Sequence, residues 1–229
     1  MKYQNILAPI AAALTLTLAP LASHASLVLR ITDGADTVSI QDGGALDNQP
    51  APDAVGFTGS FKGWNLTTSV GTSGADPLAM HFTAFVVGDK SSGKIWLELT
   101  DTDLLAGLGL VGLSASGVGF AGNVGIQGSW AGYVDDSNAL FGTATSVFSS
   151  SGFGAAGGTA SVPLSDTYSA SLVTSFDYGG STTDSLQGSS FDVRMDVLSV
   201  AEPTSVALVG LALLGLGVAR RRKDCLFRQ

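Results

Sequence analysis

Cysteine, histidine, basic residues and helical periodicity are all scarce in this 229-residue chain. The single cysteine, Cys225, lies near the C-terminus, so the body of the protein has no disulfide and no thiol nucleophile. The two histidines are His24 and His81. Zinc sites built on histidine and cysteine are therefore excluded, and so is a Cys–His catalytic pair. Sequences of the type Gly-x-Ser-x-Gly, His-Glu-x-x-His and the phosphate loop are absent. Gly107-Leu108-Gly109 is compositional, with no strand–loop–helix context around it. Glutamate is almost missing as well, with Glu98 and Glu202 its only occurrences, which leaves little for the paired carboxylates of glycoside hydrolysis. These absences read as a non-enzyme.

Basic residues are rarest where acidic ones are commonest. Between residues 26 and 202, only Arg30, Lys62, Lys90, Lys94 and Arg194 stand against 18 acidic residues, although the whole chain is −8. A nucleic acid or an anionic membrane surface would be repelled, whereas solubility and weak cation binding are favoured.

The chain ends differ from its body. Lys2, an apolar core over residues 6–18 and the small-x-small sequence Ser23-His24-Ala25 form a secretory signal, predicted as an N-terminal helix over residues 1–25 with cleavage between Ala25 and Ser26. At the other end, Glu202, Pro203, Thr204 and Ser205 precede a chargeless run up to Ala219, and Arg220, Arg221, Arg222 and Lys223 follow. A helix over residues 204–219 would extend about 24 Å, slightly short of the bilayer core. The basic cluster is predicted to stay cytoplasmic, so the body lies outside, with residues 224–229 as a cytoplasmic tail. This ordered ending over residues 201–223 resembles the PEP-CTERM sorting signal of bacterial surface proteins, with Ala201 where that family has its first proline. The resemblance implies a Gram-negative bacterium that makes exopolysaccharide. It further implies an exosortase-type membrane protease acting after signal peptidase, passage through the inner membrane, and delivery to the cell surface or extracellular matrix in a structural or adhesive role.

Residues 26–200 form the remaining domain, and their apolar pattern alternates. Leu27, Leu29 and Ile31 share one face, as do Tyr168, Ala170, Leu172, Thr174 and Phe176, and again Phe191, Val193, Met195 and Val197. Trp64, Leu66, Thr68 and Val70 are expected on one side of a strand. Residues 78–87 are apolar on both faces and read as a central strand. Ile95, Leu97 and Leu99 point inward, with Trp96 and Glu98 opposite. Residues 89–93 have hairpin chemistry and are expected to pair the last two strands. Residues 106–158, rich in glycine, alanine and serine, carry spaced aromatic residues and read as two to four irregular strands, with a disordered linker as the competing interpretation. Eight to twelve strands without an internal helix predict an all-β, antiparallel sandwich of jelly-roll type, followed by the C-terminal transmembrane helix.

Two groups of side chains remain as candidate sites. Asp33, Asp36, Asp42 and Asp47 lie in turn-rich sequence, where clustered hard oxygens suit calcium, the only cofactor in question. Aspartate is equally favoured in turns for its own backbone hydrogen bonds, and Asp101/Asp103 and Asp135/Asp136 read as turns too. Trp64, Trp96 and Trp130 offer flat faces to the sugar rings of a polysaccharide, and burial in the core is the competing interpretation. Trp96, opposite the inward leucines, is the one expected at the surface. A carbohydrate-binding module is accordingly the second reading of the domain.

Overall fold

A computed structural model describes residues 26–75, 78–105, 109–164 and 167–198. The signal segment, the sorting motif and the C-terminal apolar run and basic cluster fall outside these residues. Among the described residues no helix is long and apolar enough to cross a membrane.

Twelve antiparallel strands account for about seven-tenths of the described residues. In order they are β1 (Val28–Thr32), β2 (Thr37–Gln41), β3 (Ala54–Phe61), β4 (Trp64–Ala75), β5 (Leu78–Gly88), β6 (Lys94–Leu105), β7 (Gly109–Ala121), β8 (Gln127–Asp135), β9 (Thr145–Ser151), β10 (Gly154–Leu164), β11 (Thr167–Asp177) and β12 (Gln187–Leu198). They form two six-stranded sheets, ordered β2-β1-β6-β11-β8-β9 and β10-β7-β12-β5-β4-β3. From β5 onward the chain crosses between the sheets at every step except the β8–β9 hairpin, so that β6-β11-β8-β9 faces β5-β12-β7-β10, the interleaved winding of a jelly roll. The hairpin β1–β2 extends the first sheet beside β6, and β3–β4 extends the second beside β5.

Each strand contributes its apolar parity to the space between the sheets. Leu29, Ile31, Ile95, Leu97, Leu99, Leu172 and Phe176 from one sheet, and Met80, Phe82, Val86, Phe191, Val193 and Met195 from the other, are all completely buried. The glycines along these strands let the sheets approach closely. At Gly71 on β4, a methyl group would occupy the space already filled by the Leu99 side chain. Overpacking of this kind costs about 1–3 kcal/mol. Gly71→Val should lower stability by that amount in urea unfolding, and Leu99→Ala in the same chain should recover part of the loss. Independent, additive losses would show that the two positions do not share one space.

Several expectations require correction. Residues 89–93 do not join a hairpin. They make a corner at which the chain leaves the second sheet for the first, because β5 pairs with β4 and β12 whereas β6 pairs with β1 and β11. The Asp89 carboxylate caps a single 3₁₀ turn, Lys90–Ser92, by accepting from the Ser91 and Ser92 amides, and Gly93 at φ 72° redirects the backbone. The side-chain alternation expected from Trp64 to Val70 holds as far as Leu66. A bulge between Leu66 and Thr68 then shifts the register by one residue, which puts Gly71 rather than Val70 against the core. Strand β5 is interior to its sheet but not covered on both faces, since Met80, Phe82, Ala84 and Val86 are buried while His81 is exposed. His81 Nε2 lies 2.8 Å from Asp192 Oδ1 on the outer surface.

Candidate functional site

The site is assembled on the outward face of the first sheet. Strand pairing arranges its outward side chains in rows across the strands. One row runs Thr37, Thr32, Trp96, Ser175, Ser129, Ser151, and the next runs Ser39, Arg30, Glu98, Val173, Ala131, Ser149. A third row brings Thr100, Ser171 and Tyr133 into line. Most members are small or carry a hydroxyl; Thr100, Ser171 and Ser175 are buried, whereas the aromatic residues Trp96 and Tyr133 are half-buried. Between them lies a depression of about 440 Å³, lined by Trp96, Tyr133, Val173, Ser129, Ser149 and Ser175 among others.

Surrounding contacts hold this surface in place. Ser129 and Ser175 share a hydrogen bond of 2.8 Å between their hydroxyls, and Thr100 and Ser171 share one of 2.9 Å. Arg30 is ion-paired with Glu98, and its guanidinium carbon sits 3.9 Å from the centre of the Phe141 ring. Phe141 belongs to the β8–β9 loop, which is tied down by Ser169 Oγ donating to the Ala139 carbonyl and by two hydrogen bonds between Asn138 and Asp103. Asp135 accepts from the amide and hydroxyl of Ser137 at the start of this loop, and its carboxyl is held below the usual range by those bonds. At the other end, the Lys94 ammonium lies 4.7 Å from the centre of the Trp96 ring, and Gly34 sits beside the ring edge.

No protein-family model matches the sequence, and neither does any curated protein. Among solved structures, the chain is similar to TmCBM61 in complex with β-1,4-galactotriose, at 12% identity over 62% of this chain and 92% of that one, with a TM-score of 0.33. It is also similar to a CBM4 structure, at 12% identity over 67% and 93% with a TM-score of 0.30. The CBM22-1 xylan-binding domain of Xyn10C from Paenibacillus barcinonensis matches at 9% identity over 68% and 92%, with a TM-score of 0.27. At these scores the likenesses assign this chain neither a family nor a ligand, and the chemistry of the surface follows from its own residues.

The three tryptophans are not brought together. Trp64 is completely buried and meets Tyr178 edge-on at 4.9 Å, and Trp130, 2% exposed, packs on Phe148 at 5.3 Å. Both belong to the core and face no ligand, because their strand parity points them between the sheets. Only Trp96 faces outward. Tyr133 was missed from sequence because it lies in the glycine-rich stretch. Its parity with Ser129 and Ala131, against inward Trp130, Gly132 and Val134, is the signal that would have found it.

The four candidate calcium aspartates do not converge either. Asp33 Oδ1 accepts from the amides of Ala35 and Asp36, which lowers its pKa, and Asp36 pairs with Lys62 at 2.8 Å. Those two serve the β1–β2 turn, whereas Asp42 and Asp47 follow the far end of β2. Asp42 accepts from the Asp53 amide, and Asp47 accepts from Gly43, Gln49 and Gly56. Among the described residues, no group of three or more His, Cys, Asp or Glu is placed to hold a metal ion.

A second depression, of about 570 Å³, opens on the outer face of the other sheet. It is lined by Ser116, Gly117, Val118, Asp192 and Arg194 with the small residues of β10. No aromatic ring lines it, so it offers no stacking surface.

Proposed function

We propose that this chain is a non-catalytic glycan-binding β-sandwich exported to the cell surface or extracellular matrix. The observation that carries the reading is the juxtaposition of Trp96 and Tyr133 on one hydroxyl-rich sheet face. Sugar rings present apolar C–H faces and polar rims. An aromatic plane takes the first, and serine and threonine hydroxyls take the second. Ser129, in the same row as Trp96, and Ser149 and Ser151 on β9 line the depression and offer hydroxyls to a sugar chain laid across it.

The test exploits the unequal burial of the three tryptophans. Trp64 and Trp130 are sealed from solvent, so iodide should quench mainly Trp96. When the full-length protein is passed over insoluble polysaccharides, at least one should retain it, and the soluble form of that glycan should shield the quenchable fraction. Retention by none of them, or retention with Trp96 still fully quenchable, would remove this surface as the binding site.

The address is a separate part of the proposal, supported by the sequence ends alone. Glu202, Pro203, Thr204 and Ser205 would be read by an exosortase-type protease while the apolar run spans the inner membrane and Arg220, Arg221, Arg222 and Lys223 remain inside. Replacing Glu202 and Pro203 by alanine should leave the precursor uncleaved in the membrane fraction. Normal release of that variant, seen by immunoblot and by mass spectrometry of the mature C-terminus, would count against the sorting signal.

A further inference from the structure

Resting on the glycan reading, we infer that the surface takes an extended segment of a neutral polysaccharide, running obliquely across β6, β11 and β8 from Trp96 to Tyr133. Trp96 stands opposite Ser175 on β11, and Tyr133 stands opposite Ser171, so the two aromatics are offset along the strands and separated by two strand spacings. With ordinary strand geometry this places them about 16 Å apart, the reach of roughly three to four linked pyranose rings. A single sugar cannot touch both. The floor between them is Val173, Ala131, Ser129 and Ser175, none of which is large enough to interrupt a chain laid across it.

Charge decides between a neutral and an acidic polymer. Arg30 on this face is already ion-paired with Glu98. Lys94 lies over the Trp96 ring and has Asp177 directly opposite it in the β11 register. Each cation on the surface is thus matched by a carboxylate, while the domain as a whole is strongly acidic. A polyuronate would meet long-range repulsion with no surplus positive charge to hold it, whereas a neutral chain pays neither cost.

Calorimetric titration of the full-length protein separates the length and charge arguments. The probes are neutral gluco-, manno- and galacto-oligosaccharides of increasing length, with oligogalacturonates as acidic comparators. Affinity for the neutral series that binds should rise by about tenfold or more between the monosaccharide and the tetrasaccharide, then level off. Tyr133→Ala should remove the gain contributed by the last rings and leave the disaccharide within about twofold of wild type, while Trp96→Ala weakens every length. Unchanged thermal midpoints would show that both variants are folded. Length-independent affinity, or tighter binding of the uronates, overturns this inference but leaves the glycan reading standing. Binding of none of the series overturns both.

Discussion

Trp96→Ala should reduce affinity for the retained polysaccharide by about 30-fold or more, equivalent to about 2 kcal/mol, while shifting the thermal midpoint little. The expectation follows from where the ring sits. Trp96 is half-buried on the outer face, and its neighbours Ile95 and Leu97 carry the core contacts of that strand. Removing the indole therefore deletes a binding platform without opening a cavity between the sheets. Part of the ring is covered by the Lys94 ammonium in the free protein, and a sugar must displace it at a cost of about 0.5–1 kcal/mol for an exposed cation–π contact. Trp130→Ala should behave in the opposite way. Its ring is 2% exposed and packed against Phe148, so its loss should destabilise the fold by about 3–5 kcal/mol with binding affected only through unfolding. Equal losses of affinity at equal stability for the two variants, measured by calorimetry and urea unfolding, would mean that the outer face has no special role.

That contrast also marks what the sequence made legible. Parity along a strand is a local property, and it placed Trp96 opposite Ile95, Leu97 and Leu99, and Phe191, Val193 and Met195 in the core. Sheet membership is a long-range property. Residues 89–93 have the composition of a tight turn, and such a turn serves equally well to close a hairpin or to turn a corner between sheets. Only the partners of β5 and β6, which lie far away in the chain, decide which occurs. Bulges are a further blind spot. One extra residue near Thr68 reversed the side on which Val70 was expected, and nothing in the composition of that segment announces it. The binding surface inherits both difficulties. Trp96 and Tyr133 are 37 positions apart on strands separated by β11, so their common face depends on a topology that alternation alone does not specify.

Asp101→Asn should make the domain more stable at pH 7.5 and should change how stability responds to acid. Asp101 is 1% exposed on the inner side of β6, and its Oδ1 makes no hydrogen bond among the described residues. Burial pushes its carboxyl up to about 6; the nearby Ser73 hydroxyl opposes that, and the carboxylates of Asp53 and Asp103 reinforce it. A folded-state value above the unfolded one means that the native state holds this proton more tightly, so the contribution to stability is absent above pH 6 and grows as pH falls toward 4. With one unit worth 1.36 kcal/mol, the stability of wild type relative to Asp101→Asn should rise by about 2 kcal/mol between pH 7.5 and 4.5. Asp33, Asp89 and Asp135, whose carboxyls are held low by hydrogen bonds, act in the other direction, and their contributions fade only when pH falls through their lowered values. They are common to both proteins and cancel in the comparison. Wild type should therefore be most stable in mildly acid solution, between the unfolded carboxylate range and pH 6. Urea unfolding of both proteins at the two pH values measures the difference, and parallel stabilities would place the Asp101 proton at its ordinary affinity.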